Sequence, residues 1–348
     1  DNDGLRKEKD PDNDNDGSTD GCEDSNHNGK YEPNLGETSN FDPNQKNLCL
    51  TTHWESFTSP VTSGLNVISM ISPSEGWIAG DSGVILHWNG TSWAIQNNGT
   101  QGSLRALSMV SSTNGWAGGI SNTLLHYNGT TWSPVTLPNN SSIWSIGMLS
   151  ASDGWLIGQD PSSLSPVPYR WNGSQWIKQT SSPTWPLSRL AIIDSNNIWG
   201  AVGALNCAPN CDDFVGSYSH WNGTTWTSTP LTHRAIWGLV MLDANNGWMT
   251  GIQKDTGSGT LHSLIMKWDG TTWSDISHPD SFLLNGVAAN SNTFALAVGY
   301  NGSILQWDGS SWTSMVSPTT TELRDVAIVS STEAWAIGAS GTILHYTP

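Results

Sequence analysis

From residue 51 onward, apolar and polar residues alternate in short runs bounded by Gly, Asn and Asp. Alternation of period two marks half-buried β-strands, whereas an amphipathic helix would need a period near 3.6, which no stretch shows. The runs repeat. Six segments read [W/Y]-[N/D]-G-x-x-W, starting at Trp88, Tyr127, Trp171, Trp221, Trp268 and Trp307 and ending at Trp93, Trp132, Trp176, Trp226, Trp273 and Trp312. Before each lies a run carrying Trp77, Trp116, Trp155, Trp199 or Trp248, with Phe294 read as the aromatic of the sixth unit. Earlier still, an L-x-x-[VIL] run starts at Leu65, Leu104, Ile143, Leu187, Ile236 and Leu284. A seventh unit starts at Leu323, passes Trp335 and stops at Tyr346 without its last Trp.

With the strands of a unit labelled a to d, the intervals predict the architecture. The strand-a Leu or Ile precedes the strand-b aromatic by 12 residues, except in the sixth unit, read as 10. The strand-d Trp precedes the next strand a by 11 residues, or once by 10, and 11 residues before Leu65 stands Trp54. Trp54 thus supplies the missing strand d of the seventh unit. The expectation is an all-β, seven-bladed propeller of four-stranded blades over residues 51–348, its ring closed by the N-terminal strand at Trp54. The Asn-Gly and Asp-Gly pairs between strands c and d predict two-residue type I′ turns.

In such a ring strand a is innermost and begins at one face, here the top. Its second position is Asn66, Arg105, Trp144, Ser188, Trp237, Asn285 and Arg324 around the ring, and its third includes Arg189 and Asp325. A channel mouth lined by Asn66, Arg105, Trp144, Arg189, Trp237, Asn285, Arg324 and Asp325 combines aromatic faces with charge and suits a sugar, a carboxylate or a peptide. The b–c connections share that face. They are long in blades 3, 4 and 5, predicting loops near 158–168, 202–218 and 252–264 that wall one side of the mouth.

Composition adds a second region. Of 30 Asp+Glu and 13 Lys+Arg, residues 1–50 hold 13 acidic and 5 basic side chains with almost no apolar ones. Such a segment builds no hydrophobic core, so another glue is expected. Asp12, Asp14, Asp16, Gly17, Ser18 (carbonyl), Asp20 and Glu23 read D-x-D-x-D-G-x-x-D-x-x-E, with oxygen ligands at the spacing a hard cation needs and Gly at the sharp turn. A second calcium loop follows in Asp24, Asn26, Asn28, Lys30 (carbonyl) and Glu32, with Glu37 two residues late. A third, cut by the chain start, would use Asp1, Asp3 and Asp10. Two Ca2+ sites are therefore expected, with a partial third. The overall net charge of −17 argues against nucleic acid and anionic lipid as partners, and no apolar run reaches membrane-spanning length.

The tandem acidic loops over about residues 1–44 resemble thrombospondin type-3-like repeats, which implies a stiff, calcium-loaded extracellular spacer. The segments Gly341-Thr342-Ile343-Leu344-His345-Tyr346 and Gly115-Trp116-Ala117-Gly118-Gly119 resemble the photosystem II assembly-factor-like, BNR-type repeat propellers. That resemblance implies the fold only, because the short Asn-Gly-Thr-Ser-Trp turn departs from the family pattern.

Four cysteines fit an exported protein with two disulfides, Cys207–Cys211 in the blade-4 loop and Cys22–Cys49 by elimination. Eight sequons stand at Asn89, Asn98, Asn128, Asn139, Asn140, Asn172, Asn222 and Asn301. Four of these are the c–d turn asparagines, which would carry sugars on the bottom face. The recurring strand-c histidines His87, His126, His220 and His345 read as structural, and no catalytic motif appears. The sequence thus points to a secreted or surface-bound, non-enzymatic module whose partners are other copies of the chain or a surface anchor. The alternative is a propeller that binds or acts on carbohydrate at the mouth.

Overall fold

The computed structural model describes residues 53–138, 141–206, 213–279 and 282–347. The calcium loops read between Asp1 and Glu37, all four cysteines, and Asn139 and Asn140 lie outside them. The described chain forms seven four-stranded antiparallel sheets arranged as blades. Blade 1 is Leu65–Ser72, Glu75–Gly80, Ile85–Trp88 and Trp93–Ile95, and the other blades repeat this order. The seventh sheet joins Leu323–Ser330, Glu333–Gly338 and Ile343–Thr347 to His53–Phe57, so Trp54 closes the ring as its spacing predicts.

The tryptophans form the joints between blades. Each strand-b ring meets the strand-c and strand-d rings of the next blade: Trp116 lies 4.8 Å from Trp171 and 5.1 Å from Trp176, and Trp248 lies 4.9 Å from Trp307 and 5.1 Å from Trp312. Trp335 of blade 7 meets Trp88 and Trp93 of blade 1 in the same way. Large flat side chains fill the wedge between twisted sheets that a smaller residue would leave open. The strand-c indoles also anchor the a–b turns, as when Trp88 Nε1–H donates to the Pro73 carbonyl at 2.9 Å.

Three sequence expectations need correction. In blade 6 the residue paired like Trp77 is Leu296, opposite Ala288 and Gln306, and not Phe294. Backbone pairing fixes the register. The joint there needs only an apolar filler, and Leu296 is fully buried. Blade 6 therefore keeps the 12-residue interval, and its b–c connection is as short as those of blades 1, 2 and 7.

The c–d turns are not type I′. Trp88 pairs with Trp93 across a four-residue loop in which Gly90 alone has positive φ, at 89°. Asn89 caps that loop with its side chain, Oδ1 accepting from the N–H groups of Thr91 (3.0 Å) and Ser92 (2.9 Å). This Asx geometry recurs at Asn128, Asn172, Asn222, Asp269 and Asp308. Consecutive left-handed residues occur instead at the b–c turns, as in Ser82–Gly83 and Asn301–Gly302.

The expected long b–c loops are mostly paired strand. Blade 4 extends over Asn197–Asn206 and Asp213–Trp221, and blade 5 over Asn246–Lys254 and Leu261–Trp268. Extra residues that can continue an antiparallel ladder do so, because this satisfies their backbone groups.

Candidate functional site

The seven second positions of strand a converge at the top on a cavity of about 610 Å³. Arg189 also lines it. Asp325 sits deeper, in a second space of about 160 Å³ that shares Arg105, Ser188 and Arg189 with the first. The structure thus brings together every mouth residue the repeat nominates. It adds Asp81, Tyr300 and Glu322. Asp81 and Tyr300 open the b–c turns of blades 1 and 6, and Glu322 directly precedes strand a of blade 7. Following the top face one residue beyond each strand would have found them.

The mouth has two unlike halves. Across blades 6, 7, 1 and 2 its polar groups are bonded to one another. Arg324 donates to Asn66 Oδ1 at 2.7 Å, to Asp81 Oδ2 at 3.3 Å and to Glu322 Oε2 at 3.3 Å. Asn66 Nδ2 donates to Asp81 at 3.0 Å and to the Leu104 carbonyl of blade 2 at 2.9 Å. Asn285 Nδ2 repeats this contact from blade 6, donating to the Leu323 carbonyl of blade 7 at 2.8 Å. Deeper down, the Ile68 N–H of blade 1 donates to Asp325 Oδ2 of blade 7 at 3.0 Å. These side chains stitch together the sector on either side of blade 7, the blade that His53–Phe57 completes.

Electrostatics follow from the network. Burial pushes the Asp81 carboxyl up, but hydrogen bonds from Asn66, Arg324 and Ser103, with the Arg324 charge, outweigh it and hold the group below its ordinary value. Burial pushes Asp325 up, against the Arg189 charge and the Ile68 and Val326 N–H groups. Tyr300 is pushed up by burial and by Glu322.

Across blades 2 to 5 the groups are less engaged. The Arg105 guanidinium lies 5.0 Å over the Trp144 ring and has no ion-pair partner among the described residues. Trp144 Nε1–H donates to Gln159 Oε1 at 3.1 Å. Arg189 donates to the Ser188 carbonyl at 3.1 Å. Trp237 has neither a hydrogen-bond nor a ring partner among the described residues.

The top face also carries apolar surface. Leu164, Trp185, Leu261, Phe282 and Tyr300 are all at least 42% exposed. They occupy the b–c hairpins of blades 3, 5 and 6 and the d–a connections entering blades 4 and 6. The other exposed large apolar residues are Ile71, near the bottom end of strand a of blade 1, and Ile95, Ile177 and Val316, on or beyond the outer strands.

Among the sequons, Asn89, Asn128, Asn172 and Asn222 project from exposed bottom-face turns. Asn98 is half-buried, and its Nδ2 donates to the Gly83 and Gln96 carbonyls, so a sugar there would displace a hydrogen bond. Asn301 stands within a tight turn at φ 54°.

No family model matches the chain, and no curated protein matches it. Solved structures do. YCF48 bound to D1 peptide is similar over 85% of this chain and 95% of its own, with 19% identity and a TM-score of 0.64. YCF48 from Cyanidioschyzon merolae is similar over 85% of this chain and 99% of its own, with 16% identity and a TM-score of 0.66. The GH74 xyloglucanase from Xanthomonas campestris is 12% identical over 84% of this chain and 53% of its own, with a TM-score of 0.62. At these identities the likeness is one of fold.

Proposed function

We propose that the chain is a non-enzymatic, extracellular binding module that engages a protein partner through the top face of blades 3 to 6. The observation that carries this reading is the gathering there of Leu164, Trp185, Leu261, Phe282 and Tyr300, all exposed. Apolar groups collected on one face, rimmed by polar residues, mark interaction surfaces. One similar propeller has a bound peptide, which supports a protein ligand for this architecture. The acidic segment 1–50, with its two Ca2+ loops, is proposed as a calcium-stiffened spacer. The proposed partner is another copy of the chain or a surface anchor, and head-to-tail contacts that do not close would build a fibre. Electron microscopy with and without calcium tests this: calcium-dependent filaments or arrays support assembly, and monodisperse particles under both conditions refute it. Trp185→Ser with Phe282→Ser should abolish the assembly while leaving the folded ring intact.

A second reading has its own support. Trp144 and Trp237, on the blades either side of blade 4, line the same cavity, and indole faces suit a sugar ring. Binding without catalysis fits, because the two carboxylates that line the upper cavity, Asp81 and Glu322, are both held on Arg324, Asp325 lies in the deeper space, and glycoside hydrolysis needs a pair of carboxyls flanking the bond. Hydrolysis of an oligosaccharide by the purified chain would overturn that part.

A further inference from the structure

The mouth's hydrogen-bond inventory narrows the ligand. In blades 6, 7 and 1, Asn66 Oδ1, Asp81 and Glu322 all accept from neighbouring side chains. Near Trp144, Gln159 Oε1 is taken by the indole N–H, while its amide donates to the Leu164 carbonyl. Donors remain over. Arg105 has no polar partner among the described residues, Arg189 bonds one carbonyl with a single nitrogen and otherwise faces the buried Asp325 by charge alone, and the Trp237 indole N–H has no partner among them. The open half of the mouth is thus rich in donors and poor in acceptors. Its occupant should present acceptors, and two guanidinium groups favour a carboxylate over a neutral oxygen because charged, forked hydrogen bonds are stronger.

Shape adds a second constraint. Arg105 of blade 2 covers Trp144, and among the described residues no aromatic ring lies against Trp144 or Trp237. Among the described residues, blade 4, which separates the blades of the two indoles, lines the cavity with Ser188, Arg189 and Gly203. The cavity thus has two indole walls on blades 3 and 5, with the cationic Arg189 on the blade between them. A pyranose brings a flat C–H face for each wall, and its hydroxyls can accept.

Resting on the carbohydrate reading above, we propose that the mouth binds a hexuronic acid residue of an acidic polysaccharide. The ring lies between Trp144 and Trp237, and the carboxylate meets Arg189 and Arg105. The test is titration calorimetry of the full chain, in calcium, with four probes: trigalacturonate, triglucuronate, their neutral trisaccharide counterparts, and a Glu-rich peptide. At least one uronate should bind roughly tenfold or more tighter than its neutral counterpart and weaken with salt. Arg105→Met is at an exposed side chain and should lose that preference with an unchanged melting temperature. Trp237→Ala should lose binding of both sugars, and Trp237→Phe should retain part of it. Equal binding of neutral and acidic sugars would overturn the uronate assignment but keep the carbohydrate site. Binding of the peptide alone would overturn the sugar and keep a carboxylate site. Silence of all four probes would overturn both this proposal and the reading beneath it.

Discussion

At the residue scale, one position on strand c shows how the blades use aromatic chemistry. His126 stacks on Trp116 at 4.3 Å and meets Asn114 at 3.1 Å, and His220 does the same with Trp199 at 4.3 Å and Asn197 at 2.8 Å. Arg170 and Lys267 cover the corresponding indoles of blades 3 and 5, and Gln306 takes the place in blade 6. Burial lowers the pKa of His126 and His220, with no carboxylate bonded to either. The unfolded chain therefore binds protons at a higher pH than the fold. Their contribution to stability is intact above the unfolded histidine value of about 6.5 and erodes as pH falls through it. The melting temperature should drop between pH 7.5 and pH 5, about one unit or more either side of that value, and His126→Gln should flatten the drop while costing about 1 kcal/mol of stacking.

The turn asparagines give a second residue-scale prediction. Asn89→Asp should be neutral at pH 7, because Asp269 and Asp308 already cap the same turn in blades 5 and 6. Asn89→Ala should cost about 0.5–2 kcal/mol by analogy with the loss of a helix cap. Backbone and hydroxyl donors hold Asp269 and Asp308 down to about 2. Their stabilisation is thus complete above the unfolded carboxylate value of about 4 and is lost as pH falls through the folded one. Acid titration of Asp269→Asn and Asp308→Asn by circular dichroism should show a smaller loss between those limits than the parent.

At the element scale, the ring is closed by one short strand, His53–Phe57, whose Trp54 is 5% exposed. Trp54→Ala should cost about 3–5 kcal/mol, the usual range for deleting a buried Trp, and make the ring susceptible to protease at its closure. Asn66→Ala removes two hydrogen bonds and leaves Arg324 with one acceptor fewer, at about 1–3 kcal/mol. The same change at Asn285 should cost less, because it removes two hydrogen bonds without taking an acceptor from an arginine. Chemical denaturation of the two variants side by side would show the difference. Blade number, strand order and the closing strand were legible in the sequence because each blade repeats an aromatic at a constant interval. Two element-level features were not. The sixth blade lacks a strand-b Trp, so the eye settles on Phe294. The extended hairpins of blades 4 and 5 carry no regular alternation, so pairing partners alone reveal them.

At the scale of the whole molecule, the proposed functions all use the top face. Arg105, Arg189 and the exposed apolar groups of the top face occur within blades 2 to 6, while blades 6, 7 and 1 spend their polar groups at the mouth on one another. The acidic segment adds a charge-based prediction. Chelating calcium should expose residues 1–50 to limited proteolysis while cleavage of the propeller stays unchanged, and calcium should restore protection. Equal cleavage with and without metal would remove the Ca2+ assignment.

The sequence by itself determined the seven blades, the closing role of Trp54 and the ring of side chains at the mouth. These depend on which residues recur at fixed spacing, and spacing survives in one dimension. Tertiary structure alone decided which mouth residues are free. Asn66, Asn285 and Arg324 carry ligand-binding chemistry no less than Arg105, Trp144, Arg189 and Trp237. Only the distances across blade boundaries separate a group already satisfied by its neighbours from one still open to a partner.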